Sequence, residues 1–189
     1  MARAGVTVER LVRAAADLAD EAGFDNVTVA ALARHFGVRE ASLYSHIKGA
    51  RDLKTRVALL ALAELADEVA AAVAGRAGRD ALTAFAGAYR DYAKRHPGRY
   101  AAARLKLDPE TAAAGAGPRH AEMTRAILRG YALGEPDQTD AVRMLGAVFH
   151  GFVSLETAGA FGHHPRDVDA SWERTLDALH TALTNWPPT

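Results

Sequence analysis

Between Phe36 and Leu53 the chain reads FGVREASLYSHIKGARDL. Arg39, Glu40, Ser42, Tyr44 and His46 crowd beside one glycine turn, in a chain whose 23 Lys and Arg are matched by 23 Asp and Glu. Two readings fit that crowding: the solvated face of an ordinary amphipathic helix, or a surface shaped to fit something. Gly37 permits the positive-φ backbone that a tight turn between two helices needs. Leu32, Phe36, Val38 and Leu43 are spaced to pin two short helices together. Arg39, Glu40, Ser42 and His46 then lie on the far side of the second helix, with Ala41 beside them. A helix held this way can enter a major groove with its N-terminal residues at base edges. Each residue also has a plainer alternative. Tyr44 and His46 could pack into a core, Arg39 and Glu40 could simply meet water, and Thr28 could be only an N-cap.

Covalent and metal chemistry find no foothold. There is no Gly-x-Ser-x-Gly, no phosphate-binding loop and no His-Glu-x-x-His. With no cysteine there is neither a disulfide framework nor a thiolate. His163-His164 is the one tandem histidine pair; adjacent side chains point apart and nothing at ligand spacing joins them, so it reads as a surface turn. The expectation is no enzyme, no metal and no cofactor.

The elements that must position these residues are helical. Apolar residues make up 49% of the 189, which suits a globular fold. No apolar run reaches eighteen residues, so no membrane span is expected. The start, MARAGVTVERLV, lacks the apolar stretch of a signal peptide. A cytoplasmic location fits these features. Residues 1–56 hold nine Lys/Arg against seven Asp/Glu, and residues 57–189 hold fourteen against sixteen. That bias is mild support for an anionic partner of the N-terminal part.

Helical periodicity runs throughout. Val8, Leu11, Val12, Ala15 and Leu18 mark a first helix that ends at Gly23. Thr28 caps a second over 29–35, and a third covers about 39–45. A long helix spans about 51–74, apolar on nearly every face through VALLALAEL. Others follow over about 80–95, 98–106, 118–133, 137–160 and 168–185. The segment 108–118, DPETAAAGAGP, reads as a flexible connection. The expected fold is all-α with about nine helices: a three-helix helix-turn-helix domain over 1–56, joined through a long helix to a helical domain over 57–189.

The run VTVAALARHFGVREASLYSHI resembles the DNA-binding domain of the TetR family of transcriptional repressors. It supplies Thr28, Ala33, Gly37, Val38, Leu43, Tyr44 and His46 at the family's spacing, with Ile47 in a slot usually held by Phe. The preceding Glu21-Ala22-Gly23-Phe24 matches as well, and the resemblance covers about residues 6–56. It implies a double-stranded DNA operator as partner. Thr28 and Ser42 would donate to phosphate oxygens, and Tyr44 would meet a phosphate or a thymine methyl. Arg39, Glu40 and Ala41 would lie nearest the base edges, and His46 near the backbone. The Arg39 fork fits guanine O6 and N7. One slot departs: the lysine usual at the start of the fourth helix is Ala50 here, so Lys48 or Arg51 is expected to replace it.

Two C-terminal stretches, AYRDYAKRHPGRY (88–100) and VFHGFVSLETAGAF (148–161), resemble a TetR subgroup whose C-terminal domain is named for a Trp-His-Gly motif, with Phe149 in the Trp slot. In the helix over 137–160, Ala141, Leu145, Val148, Phe152 and Leu155 form an apolar stripe. Ala147, Gly151, Ser154 and Ala158 form a stripe of small residues that a second helix could approach closely. Trp172, Leu176, Leu179, Leu183 and Trp186 recur at coiled-coil-like spacing in the last helix. Packing within one chain explains these stripes as well as a dimer does; the resemblance favours a homodimer, with His150 bonded at its interface. The resemblance also implies an effector pocket in the helical domain. Its candidate lining is Phe85, Tyr89, Tyr92, Tyr100, Met123, Ile127, Tyr131, Phe149 and Phe152, with Arg104, His120, His150 and Glu156 as polar candidates. The leading expectation is a repressor released from a near-palindromic operator by a small, mostly apolar effector. The alternative, prompted by Ala50, is a small-molecule-binding helical protein with weak or lost DNA binding.

Overall fold

The computed structural model describes residues 7–187, and the first six residues read for a leader lie outside them. The described residues form ten α-helices and two single 3₁₀ turns, with no strand. The helices are α1 (Val8–Ala22), α2 (Val29–Phe36), α3 (Glu40–Leu43), α4 (Ala50–Val73), α5 (Gly78–Arg95), α6 (Pro97–Ala102), α7 (Pro109–Ala114), α8 (Gly117–Leu128), α9 (Asp137–Thr157) and α10 (Val168–Thr184). No helix among the described residues is long and apolar enough to cross a membrane.

The extra helix is α7, in the segment expected to be a loose connection. Asp108 caps it by accepting from the Thr111 N–H at 2.9 Å, and Pro109 takes its first position. Those hydrogen bonds from Thr111 hold the Asp108 carboxyl below its ordinary range. Asp-Pro-Glu is a helix-start signature, and the alanines that follow are strong helix formers. The small-residue composition of the segment obscured that signal. α3 and α6 are shorter than expected, four and six residues respectively. The stretch after Leu128 tightens into a 3₁₀ turn, Arg129–Tyr131, instead of continuing α8.

The chain divides into two compact units. One takes the chain up to Glu64 together with Arg95–Ala116; the other takes Leu65–Lys94 and the chain from Gly117 onward. Compaction therefore follows a different line from a division at 56/57.

In the first unit, Leu11, Ala15, Leu32, Leu43, Leu53 and Val57 are fully buried in one core. α6 lies against α1 so closely that Gly98 has no room for a side chain. A Cβ there would stand 1.9 Å from the Ala19 carbonyl oxygen. Asp20 on α1 ties the same contact: it accepts from the Arg99 N–H at 2.8 Å, and its other oxygen lies 3.0 Å from His96 Nδ1. Arg99 also bonds Asp17.

In the second unit, α9 buries Ala141, Leu145, Phe149 and Val153, at steps of four. The expected stripe through Val148, Phe152 and Leu155 is therefore rotated, and Leu155 is 49% exposed. Trp172, Leu176, Leu179 and Leu183 of α10 are buried within this unit. Arg90 of α5, only 7% exposed, forks onto Glu156 of α9 at 2.7 and 2.5 Å and reaches Asp169 of α10 at 2.6 Å. Its guanidinium also lies 5.4 Å from the Trp172 ring centroid and 5.9 Å from that of Phe152.

Candidate nucleic-acid interface

The interface begins with α2. Thr28 has extended backbone, and its hydroxyl oxygen accepts from the Ala31 N–H at 3.1 Å, which satisfies one of the orphan donors of the first turn. The helix stops at Gly37, whose φ of 64° and ψ of 37° are left-handed. Its N–H and that of Val38 turn back onto the Arg34 and Ala33 carbonyls. That reversal starts α3 two residues later. Leu43 and Ile47 drop into the core at 0% and 2% exposure, with Phe36 and Val38 half-buried against them.

What remains outward is the recognition set. Arg39, Glu40, Ala41 and Ser42 are exposed, Tyr44 is 54% exposed, and His46 is half-buried. Tyr44 thus presents both its ring and its hydroxyl to solvent. Ser42 differs from the donor role expected of it. Its hydroxyl donates to the Arg39 carbonyl at 2.5 Å, so it must rotate before it can donate to a phosphate. Thr28 keeps its hydroxyl proton, since its oxygen is the acceptor in the cap.

The start of α4 is pinned by Asp52, which accepts from the Lys48 N–H at 2.9 Å and from Arg56 Nε at 2.9 Å. Burial pushes the Asp52 carboxyl up, but the Lys48 and Arg56 bonds outweigh it and hold it below its ordinary range. Ala50, Lys48 and Arg51 are all exposed at this end.

Residues 11–53 match the family of bacterial regulatory proteins described as the tetR family, and residues 82–179 match the tetracyclin repressor-like C-terminal domain. The chain belongs to the TetR family of transcriptional regulators. It is 34% identical over 159 residues to an uncharacterized HTH-type transcriptional regulator of Bacillus subtilis, YobS, covering 84% of this chain and 83% of that one. In fold it is similar to a protein of unknown function from Rhodococcus sp. RHA1, at a TM-score of 0.79, 22% identity and coverage of 97% and 99% of the two chains. It is also similar in fold to the TetR family protein ActR of Streptomyces coelicolor, solved in complex with actinorhodin. There the TM-score is 0.70 at 21% identity, covering 95% and 97%.

In this TetR-family regulator the expected pocket residues have several different surroundings. Phe85, Tyr92 and Phe149 are buried core at 3%, 0% and 3% exposure. Tyr89 hydrogen-bonds His120 Nδ1 at 2.7 Å, and Tyr131 bonds His180 Nδ1 at 3.0 Å. Burial pushes the Tyr131 phenol up. Glu156 is held below its ordinary range by Arg90, its ion-pair partner. Met123 and Ile127 do line a cavity of about 220 Å³, with Val73 and Ala81. Phe152 lines a different one, at the turn between α9 and α10. Tyr100 and the exposed Arg104 belong to the first unit. Burial pushes the Tyr100 phenol up, partly offset by Arg104.

The expected dimer residues also separate into two groups. Trp172, Leu176, Leu179 and Leu183 are buried in the chain's own core; periodicity marks their buried face but not what buries it. Ala147 and Ala158 are exposed, and Gly151 and Ser154 are half-buried with open space beside Gly151. His150 lies 3.2 Å from the Ser154 hydroxyl. Leu155, exposed on the same helix, adds an apolar residue where the spacing predicts a buried one. Arg90, which ties α5 to α9 and α10, belongs to no motif. Its signal is a charge set among the buried residues Phe85, Ala86 and Ala93 of α5.

Proposed function

We propose that this regulator is a ligand-responsive repressor that binds a near-palindromic operator as a homodimer. The observation that carries the reading is the face over residues 39–46. Leu43 and Ile47 anchor it while Arg39, Glu40, Ala41, Ser42 and Tyr44 are left open. Functionally, residues 1–56 are the DNA-binding module and 57–189 the effector and dimer module. Arg39 reads guanine with its fork, Tyr44 and Thr28 hold the backbone, and His46 supports them. Arg39→Ala is expected to weaken operator binding about tenfold or more and to relax base preference at one position. Tyr44→Ala weakens binding evenly across sequences. Footprints of both variants indistinguishable from the wild type would remove the interface from α3.

Lys48 or Arg51 stands in for the absent lysine at Ala50. Each phosphate contact contributes about one counterion to the salt dependence. Replacing whichever of the two makes the contact with alanine therefore lowers the salt slope by about one; an unchanged slope in both variants leaves the slot empty.

The dimer forms on the small face of α9, through Ala147, Gly151, Ser154 and Ala158, with Leu155 and His150 beside them. Phe149-His150-Gly151 supports the Trp-His-Gly subgroup. Burying a charge on that face without a partner is costly. Ala147→Glu, exposed in the chain by itself, is thus expected to sediment as a monomer at concentrations where the wild type is a dimer. An unaltered dimer would move the interface off α9.

The effector is small and mostly apolar, and Met123 and Ile127 form part of its site. It acts by binding the two states of the regulator differently, through α4, which changes the separation of the recognition helices. ActR, solved with actinorhodin, shows that a protein of this fold can hold a small molecule.

A further inference from the structure

We propose that the turn between α9 and α10 is a binding site for a compact aromatic carboxylate, separate from the Met123 and Ile127 cavity. The turn frames a half-open recess of about 260 Å³. A dry cavity of about 150 Å³ is enough for benzene, so this one takes a ring with a short tail. Its walls are Phe152, Phe161 and Val168, with Ala160 between them. The Phe152 ring lies 5.0 Å from Phe161 and 4.9 Å from Trp172, centroid to centroid. These aromatic faces suit an offset or edge-on ring in the ligand.

The polar lining selects the charge. His163, His164 and Arg166 surround the cavity, and among the described residues no carboxylate lines it. Arg166 donates its backbone N–H to His164 Nδ1 at 3.2 Å. That bond engages Nδ1 and leaves Nε2 as the ring nitrogen open to a ligand. The hydroxyl of Ser171, the other polar lining residue, donates to the Asp167 carbonyl at 3.0 Å. Among the described lining residues the fixed charge is the Arg166 guanidinium, which fits a carboxylate and repels an ammonium. An occupant seated against Phe152 also stands one ring away from Arg90, whose guanidinium lies 5.9 Å from that ring's centroid. The site thus borders the ion pairs that join α5, α9 and α10.

The test uses the intact protein and titration calorimetry, with phenylpropionate as probe and phenylpropionamide as its neutral counterpart. Phenylpropionate is expected to bind once per chain, and the amide about tenfold more weakly, the scale of one charge-assisted contact. Arg166→Gln, at an exposed position, brings the acid down to the affinity of the amide. Ala160→Trp fills the cavity and abolishes both. Absence of binding by either compound, equal affinities in the wild type, or affinities indifferent to both variants would each overturn the site. The measurement contains no DNA, so its outcome is independent of the repressor reading. Loss of operator binding in an otherwise folded regulator leaves it standing.

Discussion

Gly98→Ala is expected to cost about 3 kcal/mol of stability, at the upper end of the overpacking range. The reason is geometric. The added Cβ would sit 1.9 Å from the Ala19 carbonyl oxygen and 2.0 Å from its carbonyl carbon. Both atoms are backbone, so no rotamer change can relieve the clash; α6 and α1 must part. Parting them also stretches the bonds from Asp20 to the Arg99 N–H and to His96. For a chain of this size each kcal/mol shifts the melting temperature by about 2–4 °C, so the expected fall is about 6–12 °C. Gly87→Ala is the control. It lies inside α5 with nothing within 4 Å of its added methyl, and should gain about 0.5–1 kcal/mol from helix propensity. Denaturant or thermal unfolding that finds the two variants alike would disprove the close packing of α6 on α1.

Arg90→Met is the other large effect. Removing one member of a buried ion pair costs about 3–5 kcal/mol, because the remaining charge keeps its desolvation penalty without its partner. Here the stranded group is Glu156, whose side chain is 13% exposed. Lys94 at 3.4 Å offers partial compensation, which puts the expected loss at the lower end, about 3 kcal/mol. Replacing both members, Arg90→Met with Glu156→Leu, should recover most of it, since a buried pair is seldom worth more than a well-packed apolar one. A double variant as unstable as the single one would contradict this reading.

The same pair fixes a pH dependence. Arg90 holds Glu156 and Asp169 below their ordinary range. A carboxyl with a lowered folded pKa adds stability above its unfolded value, and loses it as the pH falls through the folded one. The wild type should therefore lose stability as the medium is acidified below the ordinary carboxylate range. Arg90→Met should lose less over that interval.

The parts legible in the sequence were the local ones. Thr28 as a cap, Gly37 as a left-handed turn and Leu43 as an anchor depend on neighbours within a few residues, where backbone rules are sharp. α7 was equally local, since Asp108, Pro109 and Glu110 announce a helix start; a string of small residues drew the reading elsewhere. The stripes of α9 and α10 show a different limit. Period alone marks which residues of a helix are buried, but Trp172 and Leu179 could have been covered by this chain or by a second copy. A shift of a third of a turn in α9 was enough to turn Leu155 outward.

What could not be read were contacts between residues far apart in sequence. Gly98 looks like a residue following a helix stop until Ala19 is found against it. Arg90 lies 66 positions from Glu156 and 79 from Asp169, and no local pattern pairs them. The scattering of the pocket candidates has the same origin. An aromatic residue on an apolar face is equally suited to fill a core or to line a cavity, and only packing decides between Phe149 and Phe152.

The role of the face over residues 39–46 is tested most directly by titrating the intact regulator against the DNA flanking its own gene, at several salt concentrations, beside an unrelated duplex of equal length. A repressor of this kind binds the flanking DNA selectively, with an affinity that falls steeply and log-linearly as salt rises, and protects two half-sites related by a two-fold axis. Equal affinity for both duplexes, or no binding at low salt, would contradict it.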